Sequence, residues 1–356
     1  MNGSRRVNGR RSVLVLLVSL GAARPVAAQE MRIGIVDFFG LSRLSPAEAR
    51  AALTFKEGDA VVFGEPLAAV AESERRLSAL PGVARAQANM VCCDAGRVIV
   101  YLGVEEEGAR VPRFRKVPGG PARLAADVVR AGADYAVALD AAVRRGDFAE
   151  DDSQGHSLAH DPAQRAVEER FILFARRDRE RLRAVLRGSS EAGQRALAAQ
   201  VLGYAADKQA VVDDLVRATR DPDADTRNNA MRALLVFGEA VPGPGHPRPR
   251  VPYAPFVALL DSPVWTDRNK AAGALSILTS SRDPALLALL RARSLPALAE
   301  MARWKSDGHA LGAFMILGRL AGATDAEAQA AFDRGARVEA VDAFLAEARA
   351  RRNPRP

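Results

Sequence analysis

Reactive and cross-linking residue types are scarce in this chain. Its 356 residues include two cysteines, four histidines and 5% aromatic side chains. The sequence has no Gly-rich phosphate loop, no nucleophile elbow and no zinc motif built on cysteine spacing. We therefore expect neither a cofactor nor an enzymatic activity.

The two cysteines, Cys92 and Cys93, are neighbours. An exported protein with a disulfide framework would have more cysteines, spaced apart along the chain. Neighbouring side chains on a strand point to opposite faces, and adjacent Cα atoms are about 3.8 Å apart, closer than relaxed disulfides allow. We expect no disulfide between the two, and whether Cys93 is a reactive thiol stays open.

Long apolar runs are absent after the first 28 residues. Within those residues four arginines precede an apolar run over positions 12–23, and Val26-Ala27-Ala28 supplies the small residues that a signal peptidase reads. We expect a signal peptide over residues 1–28 and a periplasmic or secreted protein. The Sec route is favoured over the twin-arginine route, because nothing later suggests a cofactor loaded before export. No later segment has the ~20 apolar residues of a membrane span, so only a peripheral envelope association stays open.

Excess charge is also small once the signal peptide is removed. Residues 1–28 contain five arginines and no acidic residue, so cleavage lowers the formal net charge from +8 to +3. That bias is too small over this length to indicate nucleic acid as a partner. We expect a protein partner instead, and a disordered basic tail at residues 351–356.

Residues 29–107 have the pattern of a small α+β domain in the order β-α-α-β-β. A strand at 31–39 precedes the capping box Ser45-Pro46-Ala47-Glu48, and a second helix is expected from Pro66. Residues 84–93 and 98–104 then alternate between apolar and polar faces, as strands do. This order, the phrase Leu77-Ser78-Ala79-Leu80-Pro81-Gly82-Val83 and the ending Gly103-Val104-Glu105-Glu106 resemble a POTRA domain, a module of cell-envelope assembly proteins.

The resemblance implies a three-stranded sheet covered by two helices, with the second strand at an open edge. A partner's strand would pair with this edge through backbone groups, beside the outward-facing Arg85, Gln87 and Asn89. The alternative is that this strand only completes the sheet, or that the following domain covers its edge.

After a Pro- and Gly-rich linker at 108–121, residues 122–350 have helical periodicity and an internal repeat. Arg-x-x-Ala-x-x-x-Leu occurs at Arg195, at Arg227 and at Arg268, with spacings of 32 and 41 residues. The turn at 221–230 and its copy at 261–271 resemble those of HEAT repeats, which implies an all-α solenoid of stacked helix pairs. A proline-rich insertion at 241–252 accounts for the longer spacing, and whether it belongs to a binding face stays open.

The repeated arginines favour a structural role. A buried Asp/Arg pair satisfies backbone groups at a helix start and ties one repeat to the next, so we expect Arg195, Arg227 and Arg268 to form a structural ladder. The alternative is a ligand-binding stripe.

Candidate metal ligands are few. His156 and His160 are four residues apart with Asp161 adjacent, but their surroundings are typical of a loop and a helix start, so we expect no metal there. The favoured function is an exported, non-catalytic adaptor or scaffold that binds a protein through the solenoid face, the edge strand, or both. The alternative is a HEAT-repeat enzyme, lyase-like or metal-dependent, with its site on the concave face; no His-Glu dipeptide of the HEAT-type hydroxylases occurs.

Overall fold

The computed structural model describes residues 30–62, 67–147, 149–152, 155–239 and 248–352, without the side chains of Glu30, Val62 and Cys93. The expected signal peptide, the helix start at Pro66 and residues 241–247 of the proline-rich insertion lie outside the described residues. Arg351 and Arg352, which we expected in a disordered tail, are instead the last residues of a helix.

A small mixed sheet with two helices forms the amino-terminal part. Its elements are β1 (Glu30–Phe39), α1 (Pro46–Ala51), β2 (Ala60–Val62), α2 (Ala68–Ser78), β3 (Val83–Asp94) and β4 (Arg97–Glu106). The strand order is β2-β1-β4-β3, with β1 and β4 parallel and the other neighbours antiparallel. The capping box at Ser45 and Glu48 is confirmed. Strand β2 was not predicted, and it makes the sheet four-stranded.

Both faces of this sheet are covered. Val98, Val100 and Leu102 of β4 pack with Leu77 of α2 in one apolar cluster. The alternate residues Ile99 and Tyr101 belong to the core of the helical region. The period of two along β4 therefore divides its side chains between two cores.

The disulfide expectation was wrong. Cys92 is disulfide-bonded, and the chain has one other cysteine, Cys93. The pairing register of β3 with β4 shifts between Val91 and Asp94, so the regular alternation on which we based the expectation does not hold there. The state of Cys93 as a thiol lies outside what the structure describes.

The rest of the chain is mainly helical. Its helices are α3 (Ala126–Arg145), α4 (Pro162–Arg177), α5 (Arg179–Gly188), α6 (Ala192–Leu202), α7 (Gln209–Ala218), α8 (Ala224–Glu239), α9 (Ala254–Leu259), α10 (Trp265–Leu278), α11 (Pro284–Arg293), α12 (Leu295–Ala302), α13 (Asp307–Ala321), α14 (Asp325–Asp333) and α15 (Arg337–Arg352). A two-stranded hairpin, β5 (Glu150–Asp151) with β6 (Leu158–Ala159), lies between α3 and α4. Among the described helices none has both the length and the hydropathy of a bilayer span.

The helices pack in two rows. Helices α6, α8, α10 and α13 contact one another in sequence, and we call them the inner row. Helices α5, α7, α9 and α12 each pack on a member of it. Leu202, Leu234 and Leu275, the leucines of the repeated pattern, are buried between the rows, as their spacing predicts.

The segment before α3 is not a free linker. The Arg115 amide donates to the Arg220 carbonyl, the Gly120 amide donates to the Gly188 carbonyl, and the Leu124 amide donates to Gln194. Phe114 lies against the guanidinium of Arg227, 3.8 Å from ring centroid to Cζ. The segment therefore runs in extended form along the helices and holds the sheet to them.

Candidate functional site

The three repeated arginines are buried and paired. Arg195 binds Asp221 at 2.8 Å, Arg227 binds Asp267 at 2.9 Å, and Arg268 binds Glu300 at 2.6 Å. Each acid lies at least 26 residues after its arginine, so every pair joins one inner helix to a later segment. We call these three pairs the arginine ladder.

Each ladder arginine also binds the turn that precedes its own helix. Arg195, Arg227 and Arg268 donate to the backbone carbonyl six residues earlier, which belongs to Ser189, Asp221 and Ser262 respectively. These carbonyls belong to the turns before α6, α8 and α10, where no helical amide is available to them. One guanidinium fork thus satisfies a turn carbonyl and a carboxylate together.

Two of the ladder acids also bind segments outside the inner row. Asp221 accepts from Arg115 at 3.0 Å, and Glu300 accepts from the Gly40 amide at 2.7 Å. Burial acts to raise the pKa of Glu300, and Arg268 and the Gly40 amide act against it, with the net shift upward. The ladder therefore reaches the amino-terminal sheet.

The second strand of the predicted domain, β3, is at a sheet edge, as expected, but its outer side is partly occupied. The Ala86 amide donates to Ser78 Oγ at 2.9 Å, and the Ala88 amide donates to Glu74 Oε1 at 2.5 Å. Side chains of α2 thus take two donors that an added strand would need.

The three candidate partner-binding residues of this strand differ in their surroundings. Arg85 is exposed and pairs with Glu105 at 3.0 Å. Gln87 is half-buried, and Asn89 has a buried amide nitrogen that bonds to no described residue. They line one strand without forming a cavity.

The candidate metal ligands have separate environments. Asp161 is the N-cap of α4, where it accepts from the Gln164 amide at 2.9 Å, and it also pairs with Arg145. His160 is exposed, 3.8 Å from Asp147. His156 is buried beside Tyr204, and burial lowers the pKa of His156 to about 4. Among the described residues, no cluster of three or more His, Cys, Asp or Glu side chains is arranged to hold a metal ion.

A cavity of about 350 Å³ lies on the inner row, and none of our sequence-based expectations included it. Its floor is formed by α6, α8 and α10, and α3 and the β5–β6 hairpin close its sides. The polar and aromatic lining comprises Tyr135, Glu150, Ser157, Gln200, Tyr204, Asn228, Asn229, Arg232, Trp265, Asn269 and Lys270. We call it the inner-row pocket.

Much of this lining comes from residues at fixed sequence positions after the ladder arginines. Asn228 and Asn269 directly follow Arg227 and Arg268, and Asn229 and Lys270 come next. The two residues that follow Arg195 on α6 are Ala196 and Leu197, which are apolar. The polar pair directly after the ladder arginine therefore occurs on α8 and α10 and is missing from α6. Arg232 and Gln200 likewise share one offset, five residues after a ladder arginine.

The two cations of the pocket differ in how they are neutralised. Arg232 bonds to Glu150 and, at 2.9 Å, to Ser157 Oγ. Although burial acts to raise the pKa of Glu150, the charge of Arg232 and these hydrogen bonds lower it overall. Lys270 makes no hydrogen bond or salt bridge to a described residue, although the negative charge of Glu150 also acts on it. Burial lowers the pKa of Lys270 to about 8, and the charge of Arg232 acts in the same direction.

Neutral groups complete the pocket. Burial raises the pKa of Tyr135 to about 12, and it also raises the pKa of Tyr204, so both hydroxyls stay protonated at neutral pH. The Tyr204 hydroxyl donates to the Ser157 carbonyl at 3.0 Å and fixes the hairpin over the floor. The side-chain amide of Asn269, beside Lys270, also has no partner within the described part of the chain.

An aromatic cluster joins this region to the sheet. Tyr101 of β4 stacks on Trp265 with centroids 5.2 Å apart, and its hydroxyl lies 2.9 Å from His309 Nδ1. Trp304 packs against Tyr101 and Phe39. Trp265 therefore lines the pocket and also contacts the sheet.

Comparison with known proteins adds no relative to this description. The chain matches no protein-family model, and no curated protein is similar to it at a significant level.

Proposed function

We propose that this chain is an exported, non-catalytic adaptor of the cell envelope that binds a protein partner on its inner row of helices. The observation that carries the proposal is the inner-row pocket, where Lys270 and Asn269 have no partner among the described residues. Polar groups that the fold itself does not satisfy are the mark of a binding site in a concave surface.

The fold supports this class of function. The stacked inner row, with an arginine pair recurring at each step, is what a HEAT-like solenoid would have. The parallel pairing of β1 with β4 and the edge position of β3 fit the POTRA-like resemblance. Both resemblances belong to proteins that bind macromolecules.

Of the two docking surfaces expected from the sequence, the inner row is favoured over the β3 edge. Ser78 and Glu74 already occupy the outward amides of Ala86 and Ala88, so strand addition would have to displace them. The inner-row pocket needs no such displacement.

Partner capture from envelope extract tests the proposal. Lys270→Glu reverses the charge of the pocket cation that makes no salt bridge to a described residue, and we expect it to abolish capture. Lys116→Glu makes the same change at an exposed lysine outside the pocket and is the matched control. Equal capture by the wild type and both variants, all folded, would contradict docking on the inner row.

Export is tested separately. We expect mature protein to begin at Gln29, found by amino-terminal sequencing of protein from the periplasm or medium. Protein that stays in the cytoplasm with Met1 retained would contradict the export part of the proposal.

The second candidate function is an enzyme whose site is the same pocket. It is favoured by one observation, the half-buried Lys270 amine with its pKa near 8, since such amines serve as nucleophiles or bases. Trapping with borohydride in the presence of carbonyl compounds distinguishes the two, because only a nucleophilic Lys270 gives a reduced adduct at that position.

A further inference from the structure

We propose that the inner-row pocket binds a carboxylate group, held by Lys270, Asn269 and Arg232. This inference deepens the adaptor proposal, because it names the chemical group that is recognised on the partner. It rests on that proposal in one respect, namely that the carboxylate belongs to an acidic segment of a protein. The argument has three steps.

The first step is that the pocket holds one positive charge in excess. Its charged residues are Glu150, Arg232 and Lys270, and Glu150 is engaged by Arg232 and Ser157. The Lys270 ammonium makes no salt bridge to a described residue, and the carboxylate whose charge acts on it is the same Glu150 that Arg232 binds. One carboxylate thus serves two cations, which is unfavourable for the half-buried Lys270, and a single added anion would relieve this.

The second step is that both cations of the cavity are donors only. An ammonium has three N–H donors and no acceptor, and the Asn269 amide, which lines the same cavity, offers two more N–H groups beside its one acceptor oxygen. The Arg232 guanidinium, shared with Glu150, lines the same cavity, and its fork has five N–H donors in all. A ligand that fits must therefore supply acceptor oxygens.

The third step is the match of charge and size. One excess positive charge is balanced by a monoanionic carboxylate, whereas a phosphate carrying nearly two charges at pH 7 would leave the pocket negative. The cavity of about 350 Å³ has the size of a small ligand-binding pocket and accommodates one acidic side chain with its flanking backbone. Apolar Leu139 and Val236 line it as well and would contact the methylene groups of a Glu side chain.

Titration calorimetry on the mature chain tests the inference with four probes. These are the peptide acetyl-Gly-Glu-Gly-amide, its Gln-for-Glu counterpart, propionate and inorganic phosphate. We expect the acidic peptide and propionate, which are monoanions, to bind and the Gln peptide not to bind. Lys270→Gln should weaken binding by about tenfold or more, because it removes a charge-assisted hydrogen bond. Lys116→Gln should leave the affinity unchanged.

A second variant guards against a folding defect in the first. Asn269→Ala removes a neutral amide group and should weaken binding of the acidic peptide several-fold. Binding that neither variant alters, or binding of phosphate alone, would overturn the carboxylate site. Binding of propionate without binding of the acidic peptide would support the carboxylate site and contradict the adaptor function, so failure of the one is distinguishable from failure of the other.

Discussion

A buried guanidinium with a single carboxylate partner is a sensitive point of this molecule. Arg227 and Asp267 are 2% and 0% exposed, and Asp267 also accepts from Ser262 Oγ at 2.7 Å. We predict that Asp267→Ala lowers the free energy of unfolding by about 3–5 kcal/mol, because it leaves Arg227 buried without its counter-ion. Urea denaturation of the wild type and the variant measures the loss.

The matched control for this prediction removes both partners. Arg227→Met combined with Asp267→Leu should recover much of the lost free energy, since no uncompensated charge remains. A loss below about 0.5 kcal/mol for Asp267→Ala alone would mean that the arginine ladder does not stabilise the fold.

His156 makes the stability depend on pH. Burial lowers the pKa of His156 from 6.5 to about 4, so the unfolded chain takes up a proton at higher pH than the folded chain. Its contribution to stability is complete above pH 6.5 and is lost as the pH falls towards about 4. We predict that His156→Phe, which keeps a ring beside Tyr204, makes the free energy of unfolding less pH-dependent in this window. Parallel profiles for the two proteins would contradict it.

At the scale of the helix, burial of the repeated leucines decides stability. Leu234 of α8 is 1% exposed, whereas Leu173 of α4 is 65% exposed. We predict that Leu234→Ala costs about 2–5 kcal/mol, while the same change at Leu173 alters stability by about 0.5 kcal/mol or less. Thermal and urea unfolding of both variants check this. Equal effects at the two positions would show that the register of α8 is wrong.

The helices were predictable because their signals are local, and the exceptions have a physical reason. The pattern predicted helices over 122–350, and helices α4 to α14 all lie within that range. It also placed the start of α3 at residue 122, four residues early, because the Leu124 amide is taken by Gln194 from another helix. Strand β2 has three residues, and β5 and β6 have two each, so all are too short to leave a periodic signal.

The pocket was missed for a related reason. Glu150 and Ser157 belong to a segment that we interpreted as an acidic loop, and only the Tyr204 hydroxyl and Arg232 bring it over the inner row. A signal for the floor was nevertheless present, since Asn228 and Asn269 each follow a ladder arginine.

At the scale of the whole molecule, a glycine controls how the sheet meets the helices. A Cβ on Gly103 of β4 would lie 2.0 Å from the Pro263 carbonyl oxygen and 2.6 Å from the Phe39 ring. We predict that Gly103→Ala destabilises the protein by about 1–3 kcal/mol through overpacking and loosens the sheet from the helices. Limited proteolysis within 108–121 should become faster.

The control for this change is Gly119→Ala, because nothing lies within 4 Å of a Cβ at that position. It should unfold and be cleaved as the wild type does. If Gly103→Ala is cleaved as slowly as the control, the close approach of β4 to Pro263 does not hold the sheet to the helices.

The two tryptophans of the chain, Trp265 and Trp304, both contact Tyr101 where the sheet meets the helices. Tryptophan fluorescence, excited selectively, therefore reports on this junction. Separation of the sheet from the helices would expose both indoles to water and shift their emission to the red. Because Trp265 also lines the inner-row pocket, a ligand there would change the same signal in the native state, so one label-free optical measurement follows both docking and domain separation.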